Sequence, residues 1–227
     1  LKGTETINGI SHKDNFKHTM QVLENLSSRS NDVWLRWAAL LHDIAKPQSK
    51  KFIPGIGWSF HGHEFLGSIT VSKIFSRLKL PLNEHLKFVE KMILLHLRPI
   101  ALAEEGVTSS AIRRLLFDAG DDIDNLMTLC EADITSKNDE KVKRYMQNMQ
   151  LVREKLVEVE AEDRLRNFQP PVSGEEIMET FAIKPSKTVG EIKNPIKDAI
   201  IAVIIKHDHD EAFAFMMKKA EELGIVR

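Results

Sequence analysis

An imidazole and a carboxylate stand side by side, as His42 and Asp43, inside an apolar run that extends from Leu35 to Pro47. The run predicts a helix that is buried on nearly every side. An ionised carboxylate buried without a compensating charge is strongly unfavourable. Only Lys46, at the end of the run, lies within one turn of Asp43. The pair therefore favours a metal ion with further ligands from other helices.

Four more polar residues fall on or beside the apolar faces of predicted helices. His18 lies beside the stripe of the first helix, and Asp133 follows Leu126 by seven residues on one helix face. His63 and His96 lie on the apolar faces of two helices between them. Each histidine alone is more often a hydrogen-bonded core residue than a ligand. Together with the His-Asp pair, they favour a shared cation.

The composition restricts the class of protein. The chain has 227 residues and a formal net charge of −1. The overall charge therefore does not indicate binding to nucleic acid, although a local basic patch could still bind it. Cys130 is the one cysteine, which excludes a disulfide framework and a thiolate zinc site and fits a reducing, cytoplasmic compartment. No apolar run approaches the roughly 20 residues that span a bilayer, so we expect no membrane partner. Because Leu1 is not Met, we expect a fragment or trimmed chain.

Apolar residues at helical spacing predict an all-α fold, a helical bundle with a small helical C-terminal appendage. Gly67 lies in a predicted helix and indicates close approach to a neighbouring helix. Residues 1–13 and 47–60 are predicted to be loops, and the run 200–205 is predicted to be helical. The other predicted helices, with candidate caps, lie near 16–26 (Asp14 or Ser11), 32–47 (Asn31 or Asp32), 63–78, 83–97 (Asn83), 111–119 (Thr108 or Ser109), 121–133, 138–167 and 211–223.

A boundary is predicted at Pro170-Pro171. It divides the chain into a metal-binding helical domain at 1–168 and a small helical domain at 169–227. Two capping boxes, Ser173…Glu176 and Thr188…Glu191, predict helix starts in the second domain.

The residues above resemble a known family. His18, the His42-Asp43 pair and Asp133 look like the signature of the HD superfamily of helical, metal-dependent phosphohydrolases. A larger set resembles the HD domain of bacterial tRNA nucleotidyltransferases and poly(A) polymerases, and the segments at 171–174 and 189–192 resemble the RNA-binding C-terminal part of those enzymes. The matching segments are Ser11-His12-Lys13-Asp14, His18-Thr19, His42-Asp43-Ile44-Ala45-Lys46-Pro47, Gly57-Trp58-Ser59-Phe60-His61-Gly62-His63-Glu64, Arg77-Leu78-Lys79-Leu80-Pro81 and Glu131-Ala132-Asp133.

The resemblance implies an HD-type bundle and a ligand set. His18, His42, Asp43 and Asp133 would be metal ligands, and His63 and His96 would recruit a second metal or bind phosphate. The implied catalytic residues are Asp43, His63, His96 and Lys46, where Lys46 either meets a substrate phosphate or reaches solvent. His61 is a weaker candidate than His63.

The implied cofactor is a divalent metal. Imidazole and carboxylate ligands without thiolate suit Mn, Ni, Co, Mg or Fe better than structural zinc. Such an ion would assist hydrolysis of a phosphate ester by activating water.

The nucleotidyltransferases of this family carry an N-terminal head with a Gly-rich turn and a paired-aspartate strand. Asp122-Ile123-Asp124 has no strand before it, and Asp208-His209-Asp210 has no Gly-rich turn before it and reads as a helix cap. We therefore expect the head to be absent and nucleotide addition to belong to an intact parent.

Two functions remain open. The first is an enzyme that hydrolyses a phosphomonoester or cyclic phosphate of a nucleotide or RNA end. The second is a tRNA-holding body with a structural metal or none. The basic residues that could contact RNA phosphates are Arg113, Arg114, Lys137, Lys141, Lys143 and Arg144, although each of them singly is more often part of a solvated face.

Overall fold

The computed structural model describes residues 1–105, 108–136, 138–163 and 169–225, and the all-α prediction is confirmed. Among the described residues, no helix is long and apolar enough to cross a membrane. The helices are α1 (Asn15–Ser27), α2 (Val33–Leu41), α3 (Lys46–Ser49), α4 (His63–Leu78), α5 (Glu84–Leu95), α6 (Arg98–Glu105), α7 (Ser109–Ala119), α8 (Ile123–Asp133), α9 (Asp139–Asp163), α10 (Gly174–Phe181), α11 (Lys187–Ile201) and α12 (His209–Glu222), with a 3₁₀ turn at Gly120–Asp122.

The chain divides into two compact units. The first consists of the described residues within Leu1–Val107 and Ala119–Glu158, and the second of those within Thr108–Asp118 and Val159–Arg227. The predicted boundary after residue 168 stays a prediction, and α7 belongs to the second unit. In the first unit α1, α2, α4, α5 and α8 pack around a core that includes Leu35, Phe75 and Ile93.

Side-chain caps begin the helices of the first unit largely as predicted. Asp14 caps α1 by accepting a hydrogen bond from the backbone N–H of Lys17, so the cap is Asp14 and not Ser11. Asp32 caps α2, and Asn83 caps α5. Each cap satisfies a backbone N–H that the first turn of a helix leaves without a partner.

The predicted helix over the apolar run is wrong in its second half. The helix α2 ends at Leu41, residues 42–45 form a tight turn, and the separate short helix α3 begins at Lys46. The turn is closed by hydrogen bonds three residues apart, from Ile44 N to Leu41 O and from Lys46 N to Asp43 O. Pro47 did not simply stop a helix, because proline is well tolerated in the first turn of a new one.

The two predicted loops contain short hairpins instead. Strands β1 (Thr6–Ile7) and β2 (Ile10–Ser11) pair antiparallel, and so do β3 (Lys51–Ile53) and β4 (Gly57–Ser59). The turn of the first hairpin is Asn8-Gly9, with both residues at positive φ. That dipeptide is a strong hairpin signal, which the loop prediction overlooked.

One helix of the first unit was also missed. The sequence predicts a helix that ends near residue 97 and none before residue 111, whereas Arg98-Pro99 begins the helix α6. Here too the proline lies in the first turn of a new helix.

Gly67 brings α4 and α5 together as predicted. A Cβ atom at this position would lie 3.0 Å from Cγ2 of Ile93, and 3.8 Å from the carbonyl oxygen of His42. The glycine therefore allows α4 to approach both α5 and the turn after α2. That close packing positions the residues at the start of α4 and at the end of α5.

In the second unit the predicted caps are correct in part. Ser173 caps α10 and Asp208 caps α12 through their side chains. The predicted cap at Thr188 is wrong, because Ser186 precedes α11 and Thr188 lies in its first turn. The predicted helix over 200–205 ends at Ile201 and continues as a turn.

Candidate metal centre

The six predicted metal ligands converge in the first unit. They come from helix ends and turns: His18 from the first turn of α1, His42 and Asp43 from the turn after α2, His63 from the first residue of α4, His96 from the C-cap of α5, and Asp133 from the last residue of α8. Four of them, His42, Asp43, His63 and His96, are buried. The exposed fractions of the His18 and Asp133 side chains are 10% and 12%, so these two border the opening.

The first group of ligand atoms surrounds one oxygen of each carboxylate. Nε2 of His18 lies 2.9 Å from Oδ1 of Asp133 and 3.5 Å from Oδ2 of Asp43. Nε2 of His42 lies 3.3 Å from the same Oδ2 and 3.5 Å from the same Oδ1. Two imidazoles and two carboxylates thus meet around a common centre.

The second group uses the other oxygen of Asp43. Nε2 of His63 lies 3.2 Å from Oδ1 of Asp43 and 3.3 Å from Nε2 of His96. Ligand atoms of His18, His42 and Asp43 fall within 4.8 Å of one another, and so do those of Asp43, His63 and His96. Asp43 is therefore common to both groups.

Backbone carbonyls fix the orientation of three rings. Nδ1 of His42, His63 and His96 lies 2.8, 2.8 and 2.6 Å from the carbonyl oxygen three residues earlier. A carbonyl only accepts, so each Nδ1 donates and each neutral ring keeps its lone pair on Nε2. The close pair of Nε2 atoms in His63 and His96 then brings two lone pairs face to face, an arrangement that a cation between them stabilises.

Thr135 orients His18 and was not predicted from the sequence. Its Oγ1 lies 2.8 Å from Nδ1 of His18, and its carbonyl oxygen accepts a hydrogen bond of 3.0 Å from Nζ of Lys13. Thr135 lies just beyond the helix α8, and no periodicity or motif marks it. Only the fold brings it to a ring 117 positions earlier.

The local charges perturb the pKa values of the cluster strongly. Burial lowers the pKa of His42, but the carboxylates of Asp43 and Asp133 outweigh burial and raise it to about 10. Burial would raise the pKa values of those two carboxyl groups, yet His42 and the other cationic or hydrogen-bonding neighbours hold both well below their ordinary range. Burial, together with charged His42, lowers the pKa of His96 to about 4.

Lys46 compensates part of the negative charge of the two carboxylates. Its Nζ lies 2.7 Å from Oδ2 of Asp43, and its side chain is 20% exposed. The sequence left open whether this lysine meets the site or reaches solvent, and the structure places its ammonium group against Asp43. Two carboxylates then face Lys46 and the protonated His42, and the neutral His42 that metal ligation requires would leave one excess negative charge.

Several buried atoms of the cluster lack hydrogen-bond partners, which is a test of whether the residues fit a metal. Among the described residues, Nε2 of His42 and both carboxylate oxygens of Asp43 are buried and make no hydrogen bond of acceptable geometry. Buried polar atoms are otherwise almost always satisfied. Nitrogen and oxygen donors aimed at a common centre suit a divalent metal ion.

Two nearby residues do not join the cluster. The buried Cys130 thiol donates to the carbonyl oxygen of His96 at 2.9 Å, and burial raises its pKa well above the ordinary value, so it is a neutral thiol that supports the His96 backbone. His61, the weaker candidate, has an exposed side chain.

A polar cleft of about 460 Å³ leads to the cluster. His18, Asp133 and Lys46 line it together with Lys13 and with Trp58 of the second hairpin. The two lysines place positive charge beside the predicted metal ligands. The cleft is thus suited to an anionic group.

The predicted RNA-contacting residues that the structure describes are divided between the two units. Lys141 and Arg144 lie over the ring of Tyr145 in α9, and Lys143 is exposed. Arg114 forms an ion pair of 3.2 Å with Asp198 in the second unit. Arg113 also belongs to the second unit, and Lys137 lies outside the described residues.

Comparisons with known proteins give the same family as the residues of the cluster. The HD domain family profile matches residues 15–138, a span that contains all six predicted ligands. The chain is also 28% identical over 220 residues to the A-adding tRNA nucleotidyltransferase of Deinococcus radiodurans, a match that covers 96% of this chain and 49% of that protein. The chain thus spans about half the length of this curated relative. Because the HD profile covers more than half of the chain, the protein belongs to the HD domain family.

Proposed function

We propose that the chain is a divalent-metal-dependent phosphohydrolase that acts on phosphomonoester or cyclic phosphodiester bonds of nucleotides or RNA ends. One observation supports the proposal above others: the Nε2 atoms of His63 and His96 face each other at 3.3 Å while both oxygens of Asp43 are buried without hydrogen bonds. Such an arrangement is unfavourable unless cations complete it.

The proposed arrangement has two adjacent metal positions that share Asp43. His18, His42 and Asp133 complete one position, and His63 and His96 complete the other. The donor set suits Mn, Ni, Co, Mg or Fe. A divalent ion in such a site supplies Lewis acidity, which lowers the pKa of water from 15.7 towards about 7 and offsets charge on phosphoryl oxygens.

The chain's own residues would bind and orient the substrate. Lys46 and Lys13 border the cleft and offset the charge of a phosphate group there. Lys46 also pairs with Oδ2 of Asp43 at 2.7 Å, so its ammonium group would stand between the metal ligands and a phosphate in the cleft. Thr135 holds the ring of His18 in place through Nδ1.

The test is a hydrolysis screen on purified protein supplied in turn with each of the five metals. The substrates are nucleoside 2′-, 3′- and 5′-monophosphates and 2′,3′-cyclic nucleotides. We expect metal-dependent release of phosphate or opening of the cyclic ester, and its loss in His63→Ala.

The matched control is His61→Ala, which removes an exposed imidazole two residues away and should retain activity. Absence of hydrolysis with every metal, or full activity in His63→Ala, would refute the proposed enzyme.

The similarity to the tRNA nucleotidyltransferase supports a second candidate function, a tRNA-holding body, which is compatible with the first.

Binding to tRNA through phosphates should weaken with salt. Each lost phosphate contact should reduce the slope of log K against log salt by about 0.9 for a duplex or about 0.7 for a single strand. Replacing Lys143 and Arg144 with Ala should therefore reduce the slope by about 1.4–1.8. Lys155→Ala is the control on the same helix, because Lys155 already pairs with Glu158 at 2.6 Å. Binding of tRNA that does not weaken with salt, or absence of binding, would refute this second candidate function.

A further inference from the structure

A second cavity, of about 260 Å³, adjoins the cluster at Asp133. Its volume approaches the lower end of the range of small-molecule sites, roughly 300–1,000 Å³. Helix α6 contributes Ile100 and Ala103 to its wall, and α9 contributes Tyr145 and Met149. The wall is therefore mostly apolar and includes one aromatic ring.

Polar groups stand at the junction between this cavity and the polar cleft. Lys13 and Asp133 line both, and Lys13 donates to the carbonyl oxygen of Thr135, whose side chain orients His18. Ser136 and Lys141 also line the apolar cavity. A ligand with an anionic end in the cleft can thus place its remainder against the apolar wall, near hydroxyl and ammonium donors.

The apolar wall and the polar groups at its edge favour different chemical groups within one ligand. A nucleoside provides a planar base for the apolar wall, and sugar hydroxyls for Thr135, Ser136 and Lys141. Tyr145 lines the cavity, and the charged groups of Lys141 and Arg144 lie over its ring, so a base would pack against the part of the ring that these groups leave uncovered. A simple sugar phosphate would leave the apolar wall unfilled, and an alkyl phosphate would leave the hydroxyl groups without partners.

We propose that this cavity is a nucleoside-binding subsite in which Ala103 and Tyr145 select the substrate. Ala103 leaves the room that the base occupies, and Tyr145 supplies the surface against which the base packs. The expected effect on turnover rests on the proposed phosphohydrolase function. The expected binding of a nucleoside without a phosphate group does not depend on that function.

The first test measures nucleoside binding directly. Adenosine, cytidine, guanosine and uridine are titrated by calorimetry into the metal-free protein. We expect at least one to bind, and Ala103→Leu, which fills the cavity, to weaken that binding at least tenfold.

Ala101→Leu is the matched control, because Ala101 is exposed on the same helix and does not line the cavity. Binding of no nucleoside, or equal binding by Ala103→Leu and the wild type, would overturn the proposal. Thermal melting establishes that each variant is folded. Tyr145→Ser, at a half-buried position, tests the same wall if Ala103→Leu does not fold.

The second test uses turnover. The ratio of kcat/KM for the preferred nucleoside monophosphate to kcat/KM for glycerol phosphate should fall at least tenfold in Ala103→Leu and stay constant in Ala101→Leu. An unchanged ratio in an active Ala103→Leu enzyme contradicts the subsite. If no phosphate ester is hydrolysed at all, the proposed function fails while the nucleoside titration still decides whether the cavity binds a nucleoside.

Discussion

The replacement of Asp43 by Asn removes one charge from the centre of the cluster with little change in shape. Asp43 lies 2.7 Å from Nζ of Lys46 and within 3.5 Å of Nε2 atoms from three histidines. Within the part of the chain that the structure describes, it is also the carboxylate that both candidate metal positions share. Asp43→Asn should therefore abolish metal binding at both positions together.

The expected magnitude follows from linkage between binding and stability. A metal present at 1,000 times its dissociation constant stabilises the folded chain by about 4 kcal/mol. For a chain of 150–250 residues, 1 kcal/mol corresponds to about 2–4 °C in Tm. The wild type should therefore gain roughly 8–16 °C when metal replaces chelator, and Asp43→Asn should gain less than about 2 °C.

The assay is calorimetric melting in EDTA and then in excess Mn²⁺, Co²⁺ or Ni²⁺. Comparing the gain in Tm, rather than Tm itself, separates metal binding from any change in the metal-free stability of the variant. Asp122→Asn is the matched control, because Asp122 pairs with Lys91 in the same unit, outside the cluster. The control should keep the full gain. A full gain in Asp43→Asn, or no gain in the wild type with any of the metals, would refute the reasoning.

Three further predictions concern protonation, packing and capping. Because the raised pKa of His42, about 10, exceeds the ordinary 6.5, its contribution to metal-free stability is full below pH 6.5 and is lost as pH rises towards 10. Urea unfolding in EDTA should show this decline in the wild type and not in His42→Gln. Because His42 must lose its proton to bind a metal, metal binding at pH 8 should release about one proton, which calorimetry in two buffers measures. Gly67→Ala should destabilise by about 1–2 kcal/mol in urea, because crowding against Ile93 outweighs the gain in helix propensity, and a stabilised variant would contradict the close packing. Asp208→Ala should cost about 1 kcal/mol through loss of the α12 cap, whereas Thr188→Ala, at a position that caps nothing, should cost less than about 0.5 kcal/mol.

The sequence predicts those parts of the fold that local chemistry determines. The helix α4 begins at His63 and ends at Leu78 as expected, because its apolar period is long enough to identify. Asp14, Asn83 and Ser173 act as caps because their short side chains reach the free N–H groups of a first turn. A carboxylate at a position where the helical period calls for an apolar side chain, as at Asp133, is by itself a sign that polar groups converge in the interior.

Other parts depend on information that is not local. The hairpins have strands of two or three residues, too short for an alternating pattern, and only Asn8-Gly9 marks one of them. The end of α2 at Leu41 depends on tight turn hydrogen bonds that hold His42 and Asp43 at the cluster, and propensity alone does not reveal it. The role of Thr135 depends wholly on tertiary contact.

The most direct test of the central claim is anomalous X-ray diffraction from crystals of the metal-replete protein, recorded above and below the absorption edge of the added metal. We expect anomalous density between the ligand atoms of His18, His42, Asp43 and Asp133, and a second peak between Asp43, His63 and His96, at metal–ligand distances of about 2.0–2.2 Å, similar to those of protein-bound zinc. Metal-replete crystals without an anomalous peak at Asp43, or with a peak only elsewhere on the protein, would contradict the account.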